Sequence, residues 1–107
     1  MLPKTVGILG TLDTKGEEFA YLKNQIESAG LQTLVIDAGV LAAPTFRPDV
    51  GREEVAQAGG RALQEIVAER DRGKSVSIMA AGAAVIVRRL RDAQRIHGLI
   101  ALGGSAG

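Results

Sequence analysis

Residues 10–16, which read GTLDTKG, combine groups that could hold an anion. They follow the apolar run TVGIL, so they stand where a buried strand would pass into a helix. The amino end of a helix offers N–H groups to a phosphate. Thr11 and Thr14 can donate hydroxyls, Lys15 supplies a positive charge, and Gly10 leaves the backbone free to approach a ligand. These residues favour a phosphate-binding loop.

An alternative interpretation of this stretch is a capped turn. It lacks the Gly-Lys-Ser/Thr of a Walker A loop, because residues 15–17 are Lys-Gly-Glu, and the glycines within 7–10 do not have G-x-G-x-x-G spacing. Asp13 would repel phosphate unless it held Mg²⁺ or a ribose hydroxyl. Asp13 or Thr14 could cap the helix, and Thr14 and Glu17 have the spacing of a capping box. The residues alone leave both interpretations open.

Two further polar or glycine-rich stretches follow predicted strands. Asp37 lies near the end of the second strand, about 20 residues past the first loop, where dinucleotide-binding folds hold ribose hydroxyls with an acid. The chain ends in GGSAG, where the backbone of Gly103, Gly104 and Ser105 could approach a phosphate closely. The alternatives are a strand-end cap at Asp37 and a flexible chain end at 103–107.

Other residues that could do chemistry favour structural roles. His97, the only histidine, falls between a predicted helix and a strand, at the opposite end of the sheet from the candidate loops. Ser105 therefore lacks the imidazole that a Ser-His-Asp triad needs. Gly82 is expected to let two helices approach closely, at a helix-propensity cost of about 1 kcal/mol. A solvated face, rather than a nucleic-acid patch, is expected for three arginines of the last helix, Arg88, Arg91 and Arg95.

The composition excludes several classes of protein. The chain has 107 residues, of which 46% are hydrophobic, so one modest domain with a core is expected. A net charge of +1 gives no long-range attraction to nucleic acid or anionic membrane. Without cysteine it has no disulfide framework or thiolate metal site. No apolar run approaches the ~20 residues of a membrane helix, and the amino terminus does not resemble a signal peptide, so we expect a cytoplasmic protein.

The elements that would position these residues alternate between strands and helices. The apolar periodicity changes along the chain from strand to helix and back, with a loop at 42–51 and a weak point in the second helical stretch at Gly59–Gly60. The predicted strands are 4–11, 31–41 and the run that begins at 97, and the predicted helices are 15–30, 52–73 and 74–96.

This order, β-α-β-α-α-β, predicts an α/β fold with a parallel sheet and right-handed connections. Open α/β sheets bind ligands at the carboxyl ends of their strands, so the three polar stretches should meet at one edge. Three parallel strands leave two open edges, and the chain stops where another helix would begin. We therefore expect a piece of a larger domain, or a second copy that covers an edge.

Four stretches in this order, GTLDTKGEE, VIDAGVL, DRGKSVSIMAAGAA and GLIALGGSAG, resemble the N-terminal part of the tomato mosaic virus resistance protein family. Many members are uncharacterised bacterial proteins. The resemblance implies a Rossmann-like, three-layer subdomain at 1–107, followed by a second subdomain. It also implies an ATP site, to which Mg²⁺ is a natural companion. The family's last loop resembles Gly-Gly-Ser-Gly-Gly-Thr, from which this chain departs at Ala106.

The leading hypothesis is therefore a nucleotide-binding domain with ATP and Mg²⁺ as ligands. The alternatives are part of an enzyme that acts on a phosphorylated or carboxylated metabolite, and a self-associating interaction module. No nucleic acid and no membrane are expected as partners, and no complete catalytic constellation is present. The predicted ligand residues are Gly10, Thr11, Asp13, Thr14, Lys15, Asp37, Gly103, Gly104 and Ser105.

Overall fold

The computed structural model describes residues 3–40, 44 and 46–102. It confirms the predicted α/β fold with a parallel sheet, in the strand order β2-β1-β3. The strands are β1 (Thr5–Gly10), β2 (Gln32–Asp37) and β3 (Gly98–Ala101). The helices are α1 (Leu12–Ser28), α2 (Arg52–Ala58), α3 (Leu63–Glu69) and α4 (Arg72–Asp92). The arrangement is that of a Rossmann-like fragment.

Side chains on the two faces of the sheet form two hydrophobic clusters. Successive strand residues point to opposite faces, so β1 and β2 contribute to both clusters. On the α1 face, Ile8 and Val35 pack with Phe19, and all three are fully buried. On the other face, β2 and the helices α2, α3 and α4 form the larger cluster: Leu34, Ile36, Val50, Val55, Ala56, Ile66, Met79, Ala83, Ile86, Leu90 and Ile96.

The helical region between β2 and β3 differs from the prediction in having three helices instead of two. The expected weak point at Gly59–Gly60 is a true break, since Gly60 has φ +95°, which favours glycine. A second break follows at Arg70, whose φ is +53°. Asp71 then caps α4, because its Oδ1 accepts a hydrogen bond from the Lys74 N–H at 3.0 Å. The predicted order is therefore corrected to β-α-β-α-α-α-β.

Gly82 lets α2 and α4 pack closely, as the sequence predicted. A Cβ atom at Gly82 would overlap the carbonyl oxygen of Val55, and one at Gly59 would overlap the carbonyl of Ile78. The two helices therefore meet backbone to backbone, at positions where any side chain would force them apart.

The outer side of β2 is covered by part of the predicted loop. The Asp37 N–H donates to the carbonyl of Val50 at 3.0 Å, and Val50 forms an isolated parallel bridge with Ile36. Asp49 accepts a hydrogen bond on Oδ2 from the Val35 N–H at 2.7 Å. No described residue pairs with the outer side of β3. None of the helices in the described ranges is long and apolar enough to cross a membrane.

Candidate functional site

The carboxyl ends of the three strands lie along one side of the sheet, which we call the carboxyl edge. This edge brings residues 10–16 together with the stretch at Asp37. The Ala38 N–H donates to the carbonyl of Gly10 at 2.7 Å, so the chain leaving β2 lies against the end of β1. The end of β3 is held there too, because the Leu102 N–H donates to the carbonyl of Leu9 at 3.0 Å. The predicted residues Gly103, Gly104 and Ser105 follow this point and lie outside the described residues.

Asp37 connects the end of β2 to the start of α1. Its Oδ1 accepts hydrogen bonds from the N–H groups of Leu12, at 3.2 Å, and Gly39, at 2.9 Å. The side chain is fully buried, and Oδ2 has no hydrogen-bond partner within the described part of the chain. Asp37 thus forms the strand-end cap that was the alternative to ribose binding. Its role toward a nucleotide stays a prediction.

The pKa of Asp37 is raised above its ordinary value. Loss of hydration on burial is the main cause, and the negative charge of nearby Asp13 adds to it. The hydrogen bonds from Gly39 and Leu12 and the positive charge of Arg52 act in the opposite direction. Burial therefore favours the neutral form of this carboxyl group.

Asp13 lies beside Gly39, which belongs to the segment that follows β2. Its Oδ1 is 2.6 Å from the point that a Cβ atom on Gly39 would occupy, so a side chain at position 39 would displace this carboxylate. Two acidic side chains, Asp13 and Asp37, thus approach each other at the carboxyl edge. Two carboxylates together can attract a divalent cation. Within the described ranges, however, no three His, Cys, Asp or Glu side chains cluster closely enough to hold a metal ion by themselves.

The start of α1 differs from the prediction. The helix begins at Leu12 rather than at Lys15, and Thr11, rather than Asp13 or Thr14, occupies the N-cap position. Lys15 instead forms a kink, with φ −124° and ψ 25°. The physical reason is tertiary: Asp37, from a strand 25 residues away, satisfies the N–H of Leu12, so a local capping box is not required.

The packing of α1 against the sheet explains why residue 10 is a glycine. A Cβ atom at this position would overlap the ring of Phe19 and lie 2.9 Å from the carbonyl oxygen of Leu102. Residue 10 must therefore be glycine for α1 to pack against the sheet. The contact of Gly10 with a phosphate stays a prediction.

Lys15 and His97 lie at opposite ends of the molecule's sheet. Lys15 is partly buried near the start of α1 and forms no ion pair with the described residues. His97 is exposed at the amino edge, where its Nδ1 accepts a hydrogen bond from the Thr5 N–H at 3.0 Å. The predicted separation of the histidine from the carboxyl edge is therefore observed.

Sequence reasoning missed a depression beside the outer side of β2. It has a volume of about 290 Å³, and Arg47 and Arg52 line it together with Asp37 and Asp49. The positive charge of Arg52 lowers the pKa of Asp37, as the smallest of the contributions to its shift. The available signal was the pair of arginines in FRPDVGR, which flank a short segment that follows the second strand.

These features define an α/β domain with an acidic pair and a helix amino end at the carboxyl edge of its sheet. Residues 4–107 match the family described as "Uncharacterised protein family (UPF0261) N-terminal domain", and the chain belongs to this family. No solved structure matches it.

The chain is similar to several UPF0261 proteins of bacteria. It is 47% identical over 104 residues to one from Clostridium tetani, 37% over 100 residues to one from Brucella suis and 32% over 104 residues to one from Rhizobium meliloti. These alignments cover 97%, 94% and 97% of this chain, but 26%, 24% and 25% of the relatives. The chain thus spans about a quarter of their length. The resemblance to the tomato mosaic virus resistance protein family stays a prediction, because neither the family description nor the relatives' names mention it.

Proposed function

We propose that the carboxyl edge of this sheet binds a nucleotide, and that the nucleotide is ATP accompanied by Mg²⁺. The observation that carries the proposal is the meeting of the amino end of α1 with the ends of β1 and β2, beside the carboxylates of Asp13 and Asp37. Open α/β sheets bind ligands at this edge, and the positive end of a helix dipole favours phosphate.

The two carboxylates take different parts in this proposal. Mg²⁺ in nucleotide sites is held by one or two carboxylates together with phosphate oxygens and waters, which fits a site with few protein ligands. Asp13 is proposed to contact the cation directly because the residue is less buried than Asp37. Asp37 is closed off from solvent and holds the start of α1, so it acts as a positioning residue.

The phosphate groups are proposed to contact positively charged and polar groups near the start of α1. Lys15 contributes its ammonium group as a point charge, and Thr11 and Thr14 contribute hydroxyls. The backbone of Gly103, Gly104 and Ser105 is proposed to contact the phosphates from the end of β3. When bound, Mg²⁺ would offset the repulsion between the phosphates and the acidic pair.

Calorimetric titration of the full-length protein with ATP, in Mg²⁺ and in EDTA, tests this proposal. We expect Lys15→Gln to weaken binding about tenfold, because a charge-assisted hydrogen bond contributes about 1.5 kcal/mol. Lys4→Gln is the matched control: it removes the same charge from an exposed residue just before β1, at the opposite edge.

Two outcomes would contradict the proposal. The first is the absence of both heat and thermal shift at millimolar Mg·ATP. The second is an equal effect of the two lysine substitutions, which would indicate a general charge effect rather than a site at this edge. Weaker binding in EDTA than in Mg²⁺ is expected if the acidic pair needs the cation.

A further inference from the structure

Strand β3 is exposed on both faces and at its outer edge. All four of its residues are exposed, including Leu99 at 45% and Ile100 at 38%. Parallel strands are normally covered on both faces, and an uncovered apolar edge strand invites pairing with further chain. The exposed surface of β3 therefore indicates a docking surface.

The two large side chains of β3 point to different faces. The Cδ1 atom of Leu99 is 3.3 Å from the Cβ position of Gly7, which Ile96 also approaches, and Ile96 belongs to the cluster on the α4 face. Ile100 is in register with Ile8, which belongs to the cluster on the α1 face. Each face of β3 thus has its own uncovered apolar side chain.

The α1 face continues this uncovered surface. Beyond the end of β3, a shallow depression of about 430 Å³ is lined by Tyr21, Leu22 and Leu102, with Glu17 and Glu18 beside them. Tyr21 is 67% exposed, the largest exposure among the large hydrophobic residues of the described chain. We name Tyr21, Leu22, Ile100 and Leu102 the α1-side patch.

We infer that the polypeptide following residue 107 in the full-length protein covers this surface, with a further parallel strand paired along the free edge of β3. The lengths of the relatives indicate where this covering segment comes from. This chain matches an N-terminal domain and covers only 24–26% of three relatives, so most of their length lies outside it. A continuing sheet satisfies the backbone groups on the outer side of β3 and buries Leu99 and Ile100 together.

The handedness of the connections orders the covering segments. The step from β1 to β2 crosses through α1 on one face, and the step from β2 to β3 runs in the opposite direction through α2, α3 and α4 on the other face. A connection from β3 to a new strand at its free edge would run in the same direction as the connection from β2 to β3. A right-handed connection of this kind lies on the α4 face, over Leu99. The α1-side patch is then covered by a later segment that packs beside α1.

Thiol labelling of the full-length protein tests whether β3 is covered. In a background without other cysteines, we compare Leu99→Cys with Val67→Cys, because these side chains are 45% and 46% exposed in this structure. We expect the cysteine at position 99 to react at least tenfold more slowly than the one at position 67. Equal rates would overturn the inference.

Hydrogen exchange of the unsubstituted protein provides the same test without a substitution. We expect a peptide that spans residues 98–102 to exchange as slowly as one from β1, because a strand paired on both sides is protected. Exchange as fast as that of an unpaired edge strand would overturn the inference. This measurement remains decisive if Leu99→Cys fails to fold.

Photo-crosslinking identifies the occupant. Tyr21 is replaced by p-benzoylphenylalanine, an aromatic residue at an exposed position, in the full-length protein. Cross-links to the same chain beyond residue 107 support the inference. Cross-links to a second copy, at the mass of a dimer and lost on dilution, would show that self-association covers the patch and would overturn it, as would the absence of any cross-link beyond residue 107.

Discussion

The two outer strands of the sheet, β2 and β3, are both paired in parallel with β1, but their surroundings differ. Leu34, Val35, Ile36 and Asp37 of β2 are all buried, whereas every residue of β3 is exposed. The comparison shows that strand pairing alone does not bury a strand. What covers its faces and its outer edge decides the burial.

Strand β2 differs from β3 in having a helix on each face and a loop segment along its outer side. Helix α1 packs on one face of β1 and β2, and α2 packs near β2 on the other face. The segment at Asp49 and Val50 adds hydrogen bonds along the outer side of β2. The described residues provide no equivalent outer cover for β3, which is hydrogen-bonded to β1 along one side only.

The largest difference should appear when matched isoleucines of the two strands are shortened. In the 107-residue chain, Ile36→Ala should lower the free energy of unfolding by about 3–4 kcal/mol, because it leaves a cavity in the larger cluster. Ile100→Ala is the matched control and should cost less than about 1 kcal/mol, since its side chain is already exposed. Urea unfolding measures both, and equal losses would contradict the comparison. In the full-length protein, the proposed cover should increase the cost of Ile100→Ala.

The next largest effect is expected at Asp37, which has no counterpart on β3. Asp37→Ala removes the acceptor of two N–H groups and should lower the free energy of unfolding by about 2–3 kcal/mol. Asp37→Asn keeps an acceptor oxygen without the charge, so it should preserve most of the stability. An Asn variant as unstable as the Ala variant would contradict the capping role.

Comparison of the wild type with Asp37→Asn should also show a pH dependence of the free energy of unfolding. Because the folded pKa of Asp37 is raised, mainly by burial, the folded protein holds this proton more tightly than the unfolded chain does. The contribution is fully present below the ordinary aspartate pKa of about 3.9 and is lost as the pH rises through the folded pKa. Urea unfolding over a pH series should therefore show the stability of the wild type falling, relative to Asp37→Asn, as the pH rises through this window. A difference that does not vary with pH would argue against a buried, ionisable Asp37.

The smallest effect concerns the outer cover of β2. Asp49→Ala removes the acceptor of the Val35 N–H and should cost about 1 kcal/mol. Hydrogen exchange at Val35 should accelerate, while Asp92→Ala, which removes an exposed carboxylate at the end of α4, should leave it unchanged. Unaltered exchange in Asp49→Ala would mean that this side chain does not protect the edge of β2.

Much of the fold could be predicted because its signals are local. The apolar runs around Ile8 and Val35 lie near the observed strands, and Gly59–Gly60 marks a real helix break. The break at Arg70 was missed because an arginine carries no signal for a left-handed backbone. The start of α1 was placed three residues late because its first N–H is satisfied by Asp37 rather than by a neighbour in the sequence.

The candidate site was only partly predictable. Asp13 and Asp37 were both selected, but their approach to one glycine, Gly39, could not be foreseen from their separation in the chain. Gly10 was predicted as a ligand residue, and the structure adds that Phe19 would exclude any side chain there. Arg52 was missed because its effect on Asp37 depends on how the loop before α2 lies against β2.

The sequence by itself determined the alternation of strands and helices, the parallel sheet and the place of GTLDTKG after the first strand. Periodicity and turn residues specify these features within a few positions of the chain. The tertiary structure alone decided that Asp37 caps α1, that Asp13 lies against Gly39, and that β2 is covered while β3 is not. Each of these depends on contacts between distant residues, which are set by how the layers pack and not by any local preference.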